Sequence, residues 1–266
     1  MIVVTGATGN VGQPLVRTLT DAGEDVTAVS RSGSAPGVRH FHADLTRLES
    51  LRPALDGASA LFLLAPGGAD LTEVAELVRG TRIQRVVLLS SLGVATGRHS
   101  PGTEAAVRRS SPEWTVLRPG GFHSNTFAWA DSIRNWRLAA APFAGVALPT
   151  VDPVDIAEVA AAALTEPGHH GNAYVLTGPA PITPRQQVAA ISDALGEPVA
   201  FHEQTRAEAR AQLLGFMPEH VADATLAILG EPQPAEQEVS PDIQRVLGRP
   251  PREFADWAAR NAAVFK

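Results

Sequence analysis

Three glycines at positions 6, 9 and 12 have a spacing that implies a chemistry, the binding of an anion by backbone amides. They follow the β-branched run of Ile2 to Val4 and precede apolar residues at helical spacing. Gly6 and Gly9 permit a tight turn and a close approach to a pyrophosphate, and Gly12 lets the following helix pack near the strand. A helix over about residues 10–22 would point its positive end at the anion. The predicted phosphate-binding residues are Gly6, Thr8, Gly9, Asn10, Val11 and Gly12.

A second group of candidate ligands follows the next predicted strand, Val26 to Val29. A dinucleotide with a free 2′-hydroxyl usually meets a carboxylate ~20 residues beyond the glycine loop, whereas a 2′-phosphate calls for arginine. This chain has Ser30 and Arg31 at that place, and no acid before Asp44. A hydroxyl and a guanidinium suit a phosphate dianion, so we expect NADP(H) rather than NAD(H). The alternative is that Arg31 is an ordinary solvated loop residue.

The elements that must position these residues alternate as in a doubly wound sheet. Helical faces are predicted at Leu71 to Val78 and Thr103 to Arg109. Further strands are predicted at Arg39 to Ala43, Ala60 to Leu64, Arg85 to Ser90 and Trp114 to Leu117. Up to about residue 120 the chain therefore reads as α/β with a parallel sheet.

The second half of the chain reads differently, as a smaller and mostly helical lobe. Helices are predicted at Asp155 to Leu164 and from Thr183-Pro184 to Leu195, ending at Gly196, with a late strand at Ala173 to Thr177. Two more helices are expected within 203–230, a surface loop at 230–238 and a last helix at about 253–264. We place the nucleotide domain at 1–150. We expect 151–266 to be mainly a substrate lobe that caps the carboxyl ends of the strands, with some elements returning to the first domain.

The composition favours a globular protein that acts on small molecules. Hydrophobic residues make up 44% of the 266 residues, enough for a substantial core. The net charge of −6 without a basic tract argues against nucleic-acid binding, and the lack of cysteine excludes disulfides and thiolate metal sites. We also reject a metal site at His169-His170, which has no carboxylate at ligand spacing. No apolar run approaches the length of a membrane span, and the chain begins in a strand without room for a signal peptide. We therefore expect a cytoplasmic monomer or homodimer without membrane contact.

Six segments, in order, carry a resemblance to a known family: TGATGNVG, VSR, ADLTRLESL, LFLLAP, VVLLSSLG and WTVLRPGGF. Together they cover roughly residues 1–180 and resemble the NmrA-like branch of the atypical short-chain dehydrogenases/reductases. That branch includes NADPH-dependent quinone and triphenylmethane-dye reductases as well as redox-sensing regulators. The resemblance implies a Rossmann fold that binds NADP(H).

The resemblance also implies site residues beyond the glycine loop. The implied cofactor contacts are Asp44 and Leu45 at the adenine, Ala65 and Pro66 at the ribose, and Ser90, Pro119 and Gly120 at the nicotinamide. The implied substrate-facing residues are Phe122, His123, Asn125 and Thr126. Plainer alternatives are a helix cap at Asp44, a strand end at Ala65-Pro66 and a simple turn at Pro119 to Gly121.

The chain departs from the wider superfamily at its acid/base pair. Most short-chain dehydrogenases use a tyrosine followed four residues later by a lysine, which lets the tyrosine pass a proton to the substrate. Here Tyr174 is the only tyrosine and Lys266 the only lysine, so the usual pair is absent. Reduction of a simple ketone gains about 10²–10⁴-fold from a positioned acid. Quinones, enones and cationic dyes spread or cancel the charge that hydride brings, so the missing pair favours such conjugated acceptors.

The catalytic hypothesis follows from this chemistry. Ser90, His123 or Asn125 would orient or polarise the acceptor, the proton would come from water or His99, and Trp129 would stack on an aromatic acceptor. Plainer alternatives are a solvated loop histidine at 99 and core packing at Trp129.

Two interpretations stay open: an NADPH-dependent reductase of conjugated or aromatic acceptors, and a non-catalytic NADP(H)-binding sensor whose lobe contacts a partner protein. The polar and aromatic residues after Gly121 favour the reductase. Redox-neutral chemistry with a retained or vestigial cofactor is a third possibility.

Overall fold

Residues 1–33, 37–64 and 71–266 are described by the computed structural model, and they divide into two compact units. The first unit comprises Met1–Pro119, Pro153–Leu176 and Asp242–Arg249, and the second comprises Gly120–Asp152, Thr177–Pro241 and Pro250–Lys266. The division falls after Pro119, whereas the sequence placed the domain boundary near residue 150. The reason is that strand Leu138–Pro142 pairs with strand Ala200–Gln204 and so belongs with the second unit.

The first unit is built on a parallel sheet of seven strands within the described ranges. The strands are β1 (Ile2–Thr5), β2 (Val26–Ser30), β3 (Arg39–His42), β4 (Ala60–Leu64), β5 (Arg85–Leu89), β6 (Glu113–Pro119) and β8 (Ala173–Leu176). Their order is β3-β2-β1-β4-β5-β6-β8, so the winding reverses between β1 and β4. Such a reversal opens a crevice at the carboxyl ends of the strands, where dinucleotides bind in these sheets. The predicted doubly wound α/β fold is confirmed.

Helices of the first unit pack against this sheet. They are α1 (Gly12–Asp21), α2 (Leu48–Leu55), α3 (Thr72–Arg79), α4 (Leu92–Ala95), α5 (Gly102–Ser110), α7 (Pro153–Thr165) and α12 (Asp242–Leu247). The alanine-rich α7 packs against α1 and against β4, β5 and β6. Alanines at 160, 161, 162 and 163 are all buried, and such small side chains let neighbouring backbones approach.

One hydrophobic core of the first unit lies between the sheet and α2, α3 and α5. Val3, Leu61 and Leu88 point from three neighbouring strands into a cluster that includes Leu51 and Val74. Because side chains alternate along a strand, residues of the other parity, such as Val4 and Phe62, face the opposite side of the sheet. Both faces are therefore buried, which explains the continuous apolar runs of the central strands.

The second unit is mostly helical. Its elements are α6 (Ala130–Trp136), β7 (Leu138–Pro142), α8 (Pro184–Leu195), β9 (Ala200–Gln204), α9 (Arg206–Leu213), α10 (Glu219–Gly230), α11 (Pro234–Gln237) and α13 (Phe254–Asn261), with 3₁₀ helices at His123–Trp129 and Ala262–Phe265. The parallel pair β7 and β9 forms a small separate sheet. The hydrophobic core of this unit is rich in aromatic side chains and includes Ile133, Phe254, Trp257 and Phe265.

Several predicted boundaries in the second unit agree with the structure, and two differ. Helix α8 begins after the N-cap Thr183, whose side chain accepts a bond from the Gln186 amide, and it ends at Gly196 with φ +69°. Residues 200–204 form a strand where a helix was predicted from residue 203, because they pair with β7. The predicted loop 230–238 contains the short helix α11. None of the helices in the described ranges is long and apolar enough to cross a membrane.

Candidate active site

The glycine loop after β1 has the geometry of an anion cradle. Gly6 has φ +64°, and the Gly9 amide donates to its carbonyl oxygen at 2.9 Å, which closes a tight turn. A Cβ on Gly12 would lie 2.1 Å from that same oxygen, so only glycine lets α1 start against the loop. Gly9 is exposed, and a Cβ there would meet only Gly6 O, at 3.3 Å. The outer side of the loop is thus open to a ligand.

The start of α1 suits a negatively charged group. Its N-cap residue Val11 forms no side-chain capping hydrogen bond, and the first turn holds no acidic residue. The helix dipole is therefore not offset locally by a carboxylate. Thr8 lies beside the turn after β2. A Cβ on Gly33 in that turn would lie 3.2 Å from the Thr8 Cγ2. Asn10 is exposed beside Gly9. These observations fit the pyrophosphate of a dinucleotide.

Ser30, at the end of β2, is held by the protein itself. Its hydroxyl donates to the carbonyl of Ser32 at 2.7 Å and lies 2.8 Å from Nε2 of His40. Because the single hydroxyl hydrogen goes to Ser32, Nε2 of His40 must donate to Ser30. Burial, followed by the charge of the neighbouring His42, lowers the pKa of His40. Ser30 is only 6% exposed, so its side chain is part of the strand end and not an open ligand.

Arg31 and Asp44 lie close to each other at this edge of the sheet. Arg31 is exposed. The carboxylate of Asp44 accepts bonds from the backbone amide and the hydroxyl of Thr46, at 3.0 and 2.9 Å. The amide and hydroxyl bonds from Thr46 lower the pKa of Asp44 most, and the charges of Arg31 and Arg47 lower it further. Asp44 therefore organises its own turn; it is not the cap of α2, whose N-cap residue is Arg47.

Leu45, beside that turn, packs half-buried against the core. Ala65 and Pro66, the implied ribose contacts, lie outside the described residues. Pro119 is the buried last residue of β6, and Gly120 follows it as the first residue of the second unit.

Ser90 lies at the carboxyl end of β5, bonded to a buried ion pair. Its hydroxyl donates to Oε1 of Glu104 at 2.7 Å. Arg118 on β6 donates to both oxygens of that carboxylate, at 2.9 and 2.6 Å, and Arg108 approaches it at 3.4 Å. Glu104 is 3% exposed; burial alone would raise its pKa, but the bonds from Arg118 and Ser90 outweigh this and hold it below the ordinary value. Ser90 is therefore fixed by the hydrogen bond that its hydroxyl donates to an ionised carboxylate.

Ser91, which the sequence did not single out, forms the neighbouring arrangement. It is the N-cap of α4, and its hydroxyl oxygen accepts the Gly93 amide hydrogen at 2.9 Å. The same oxygen lies 2.9 Å from Nδ1 of His99. The signal in the sequence was a pair of serines directly after a buried strand, of which only the first was considered. His99 is thus paired with a side chain and is not simply solvated.

The predicted substrate residues of the second unit divide into buried and exposed positions. His123 is 1% exposed, its Nε2 donates to the carbonyl of Thr150 at 2.8 Å, and its ring packs edge-on against Phe254. Thr126 is also buried and donates to the carbonyl of His123 at 2.8 Å. Asn125 is exposed, whereas Phe122 is half-buried. Trp129, also half-buried, packs against the aromatic core of this unit.

The first unit brings the glycine loop, Arg31, Ser90 and the Ser91–His99 pair to one edge of its sheet, the carboxyl ends of the strands. Sequence reasoning did not find Glu104 or Arg118, whose roles depend on a pairing between α5 and β6. Among the residues that the structure describes, no group of three His, Asp or Glu side chains has the geometry of a metal site.

Comparisons with known proteins agree with this geometry. A family model described as NAD(P)H-binding matches residues 6–167. Over its full length the chain is 37% identical to the (4-alkanoyl-5-oxo-2,5-dihydrofuran-3-yl)methyl phosphate reductase of Streptomyces griseus, covering 99% of that protein. It is 32% identical to the NAD(P)H azoreductase of Xenophilus azovorans, covering 100% of the chain and 99% of the relative.

A solved structure has the same fold at lower sequence identity. An NADPH-dependent quinone oxidoreductase of Escherichia coli in complex with NADPH matches with a TM-score of 0.79 and 23% identity. The match covers 98% of this chain and 99% of that protein.

Proposed function

Because the chain belongs to the NAD(P)H-binding family, in the NmrA-like branch of the atypical short-chain dehydrogenases/reductases, we propose that it transfers hydride from NADPH to a conjugated acceptor. It is an NAD(P)H-dependent oxidoreductase. The nicotinamide supplies the hydride when the cofactor is bound. The residues of the glycine loop, Gly6 to Gly12, would hold its pyrophosphate, and the groups at the end of β5 would face the reacting ring.

The observation that supports a conjugated acceptor is the place of Tyr174. This tyrosine is on β8, at the edge of the sheet, and its hydroxyl lies 2.9 Å from Nδ1 of His169. Burial, followed by the charge of Asp242, raises the pKa of Tyr174, which makes the phenol a poorer acid. The only lysine, Lys266, is the last residue of the chain. An acceptor that delocalises charge after hydride arrives has the least need of such an acid.

The names of the relatives are consistent with that class. The substrate named for the Streptomyces enzyme has a ring double bond that is conjugated with both the lactone carbonyl and the alkanoyl ketone. Hydride addition to such an alkene leaves a negative charge shared by two carbonyl oxygens. We therefore favour, within the conjugated class, an activated alkene flanked by carbonyl groups, with quinones and cationic dyes as further acceptors.

The cofactor preference follows from Arg31. It is exposed at the end of β2, at the position where a 2′-phosphate binds in this fold. We expect tighter binding of NADPH than of NADH in calorimetry, and loss of most of that difference in R31S, because a charge-assisted hydrogen bond contributes about 1.5–3 kcal/mol. R47S is the matched control, since Arg47 is also an exposed arginine near Asp44 but follows β3 and not β2. Equal affinities for the two cofactors in the wild-type protein would contradict the assignment.

The acceptor class is tested by NADPH consumption against a panel. The panel holds 3-acetyl-2(5H)-furanone, 1,4-benzoquinone, the triarylmethyl cation malachite green and, as the unactivated control, cyclohexanone. Turnover of the conjugated acceptors with no turnover of cyclohexanone supports the proposal. Equal turnover of cyclohexanone would refute it. NADPH binding without turnover of any acceptor would instead favour a non-catalytic sensor.

A further inference from the structure

Two adjacent serines follow β5, and their hydroxyl groups have different partners. The hydrogen of Ser90 is donated to Glu104, a buried carboxylate that Arg118 keeps ionised. Ser90 therefore has lone pairs, but no hydrogen, to offer to a substrate. Ser91 has no carboxylate partner of this kind, and its partners are the Gly93 amide and the His99 ring.

With Nδ1 of His99 as the donor, the bonding of Ser91 leaves its own proton available. The Gly93 amide is a donor, so it fills one lone pair of the Ser91 oxygen at 2.9 Å. With a hydrogen on Nδ1, His99 fills the second lone pair from 2.9 Å. A hydroxyl that accepts two hydrogen bonds directs its hydrogen toward a third partner. His99 itself is exposed, so solvent reaches its ring.

We propose that Ser91 donates the proton in the reduction of an acceptor and that His99 replaces this proton from the solvent side. The inference rests on the proposed reductase function. Hydride adds to the β-carbon of the conjugated acceptor, and the electron pair of the double bond moves onto the carbonyl oxygen. That oxygen takes the hydroxyl hydrogen of Ser91, the Ser91 oxygen takes the Nδ1 hydrogen of His99, and Nε2 of His99 takes one proton from the solvent, so that the ring stays neutral. The net reaction consumes one hydride and one proton, and the relay supplies the final protonation that even a charge-delocalising alkene acceptor requires.

Gly93 offers a way to separate the pair without altering either member. A Cβ on Gly93 would lie 2.5 Å from Nδ1 of His99 and 2.8 Å from Cε1. Alanine at 93 therefore pushes the ring away from Ser91. It keeps the backbone amide and carbonyl that bond Ser91 and the main chain of His99. G80A is the matched control, because its Cβ would make only an ordinary contact, 3.7 Å from the Leu77 carbonyl.

The test compares two acceptors with different proton needs. Reduction of 3-acetyl-2(5H)-furanone takes up a hydride and a proton, whereas malachite green becomes neutral by taking up hydride alone. In S91A, H99A and G93A we expect kcat for the furanone to fall about 10²-fold, and kcat for the dye to stay within about twofold. Added imidazole should restore part of the furanone activity of H99A but not of S91A. G80A should match the wild type with both acceptors.

A measurement without turnover checks the contact itself. In ¹⁵N NMR spectra the Nδ1 resonance of His99 should shift alike in S91A and G93A, and not in G80A. The relay alone would be overturned if the wild-type protein reduced the furanone and S91A and G93A reduced it at rates close to wild type. An unshifted Nδ1 resonance in both variants would also overturn it. A wild-type protein that reduces none of the acceptors would instead overturn the proposed function, and the relay with it.

Discussion

The exchange of Gly12 for alanine tests whether the glycine loop is shaped by packing or by its ligand. The new Cβ would lie 2.1 Å from Gly6 O and 2.8 Å from the Cα of Ala7. Both are backbone atoms, so no rotamer change relieves the contact. An ordinary contact begins near 3.4 Å, and α1 or the loop must therefore move by about 1.3 Å. Such a shift disturbs the buried Leu15 and Leu19, which α1 contributes to the core.

We expect a large loss of stability in G12A and a much smaller one in G9A. Overpacking of this kind costs about 1–3 kcal/mol, which lowers Tm by about 2–6 °C in a chain of this size. In G9A the new Cβ would meet only Gly6 O, at 3.3 Å, so Tm should change by no more than about 1 °C. The methyl group of G9A would instead occupy the open side of the loop and weaken NADPH binding by at least about tenfold.

Thermal unfolding by circular dichroism and NADPH titration by calorimetry separate the two effects. An unchanged Tm in G12A would refute the packing argument. An unchanged Kd in G9A would refute the assignment of the pyrophosphate to the outer side of the loop. The R47S and G80A proteins serve as references for general effects of substitution on Tm.

Three further predictions concern groups near or outside the proposed site. In E104Q we expect a loss of about 2–3 kcal/mol at pH 7 by urea unfolding, below the usual cost for a buried pair because Arg118 keeps a fifth of its side chain exposed. The folded-state pKa of Glu104 is below the ordinary value, so the contribution of Glu104 to stability is present above the ordinary value and is lost as the pH falls through the folded-state pKa. E104Q should therefore lose less stability than the wild type between about pH 5 and 3. A parallel decline of the two proteins would contradict this. H123A should unfold about 2–4 kcal/mol more easily with unchanged kcat at low temperature, and a kcat decrease of tenfold or more would restore His123 to the catalytic residues. Y174F should retain kcat within about twofold in the NADPH assay, while a drop of 10²-fold would show that this phenol is the acid after all.

The parallel sheet of the first unit follows from local sequence. Runs such as Ile2 to Val4 are apolar and β-branched, and each is separated from the next by a helical pattern or a glycine turn. The strand pair β7 and β9 does not follow in this way. Leu138–Pro142 is rich in alanine, and Ala200–Gln204 carries charged and polar residues, so neither segment has a strong strand preference. Their pairing is decided by tertiary contacts.

One boundary error was avoidable. Helix α9 begins after Thr205, whose hydroxyl accepts the Glu208 amide hydrogen while the Glu208 carboxylate accepts the Thr205 amide hydrogen. A threonine followed three residues later by a glutamate is the sequence signature of this capping box. The pattern therefore places the helix start at 205–206, not at the predicted Glu203.

At the candidate site, the residue type at a strand end was easier to predict than the partner of that residue. Ser30, Ser90 and His123 were expected to face a ligand, yet each is held by a group from elsewhere in the chain: His40, Glu104 and the Thr150 carbonyl. Spacing along the sequence contains no information about such pairings, because they depend on how β3, α5 and residue 150 pack. Among the described residues that the sequence or the structure singled out at the strand ends of the first unit, those that stay accessible include the loop glycine Gly9, Arg31, and Ser91 with His99. If the chemistry depends on this smaller set, removal of the Ser91 hydroxyl must lower kcat for a proton-requiring acceptor more than the loss of any other side-chain hydroxyl at these strand ends.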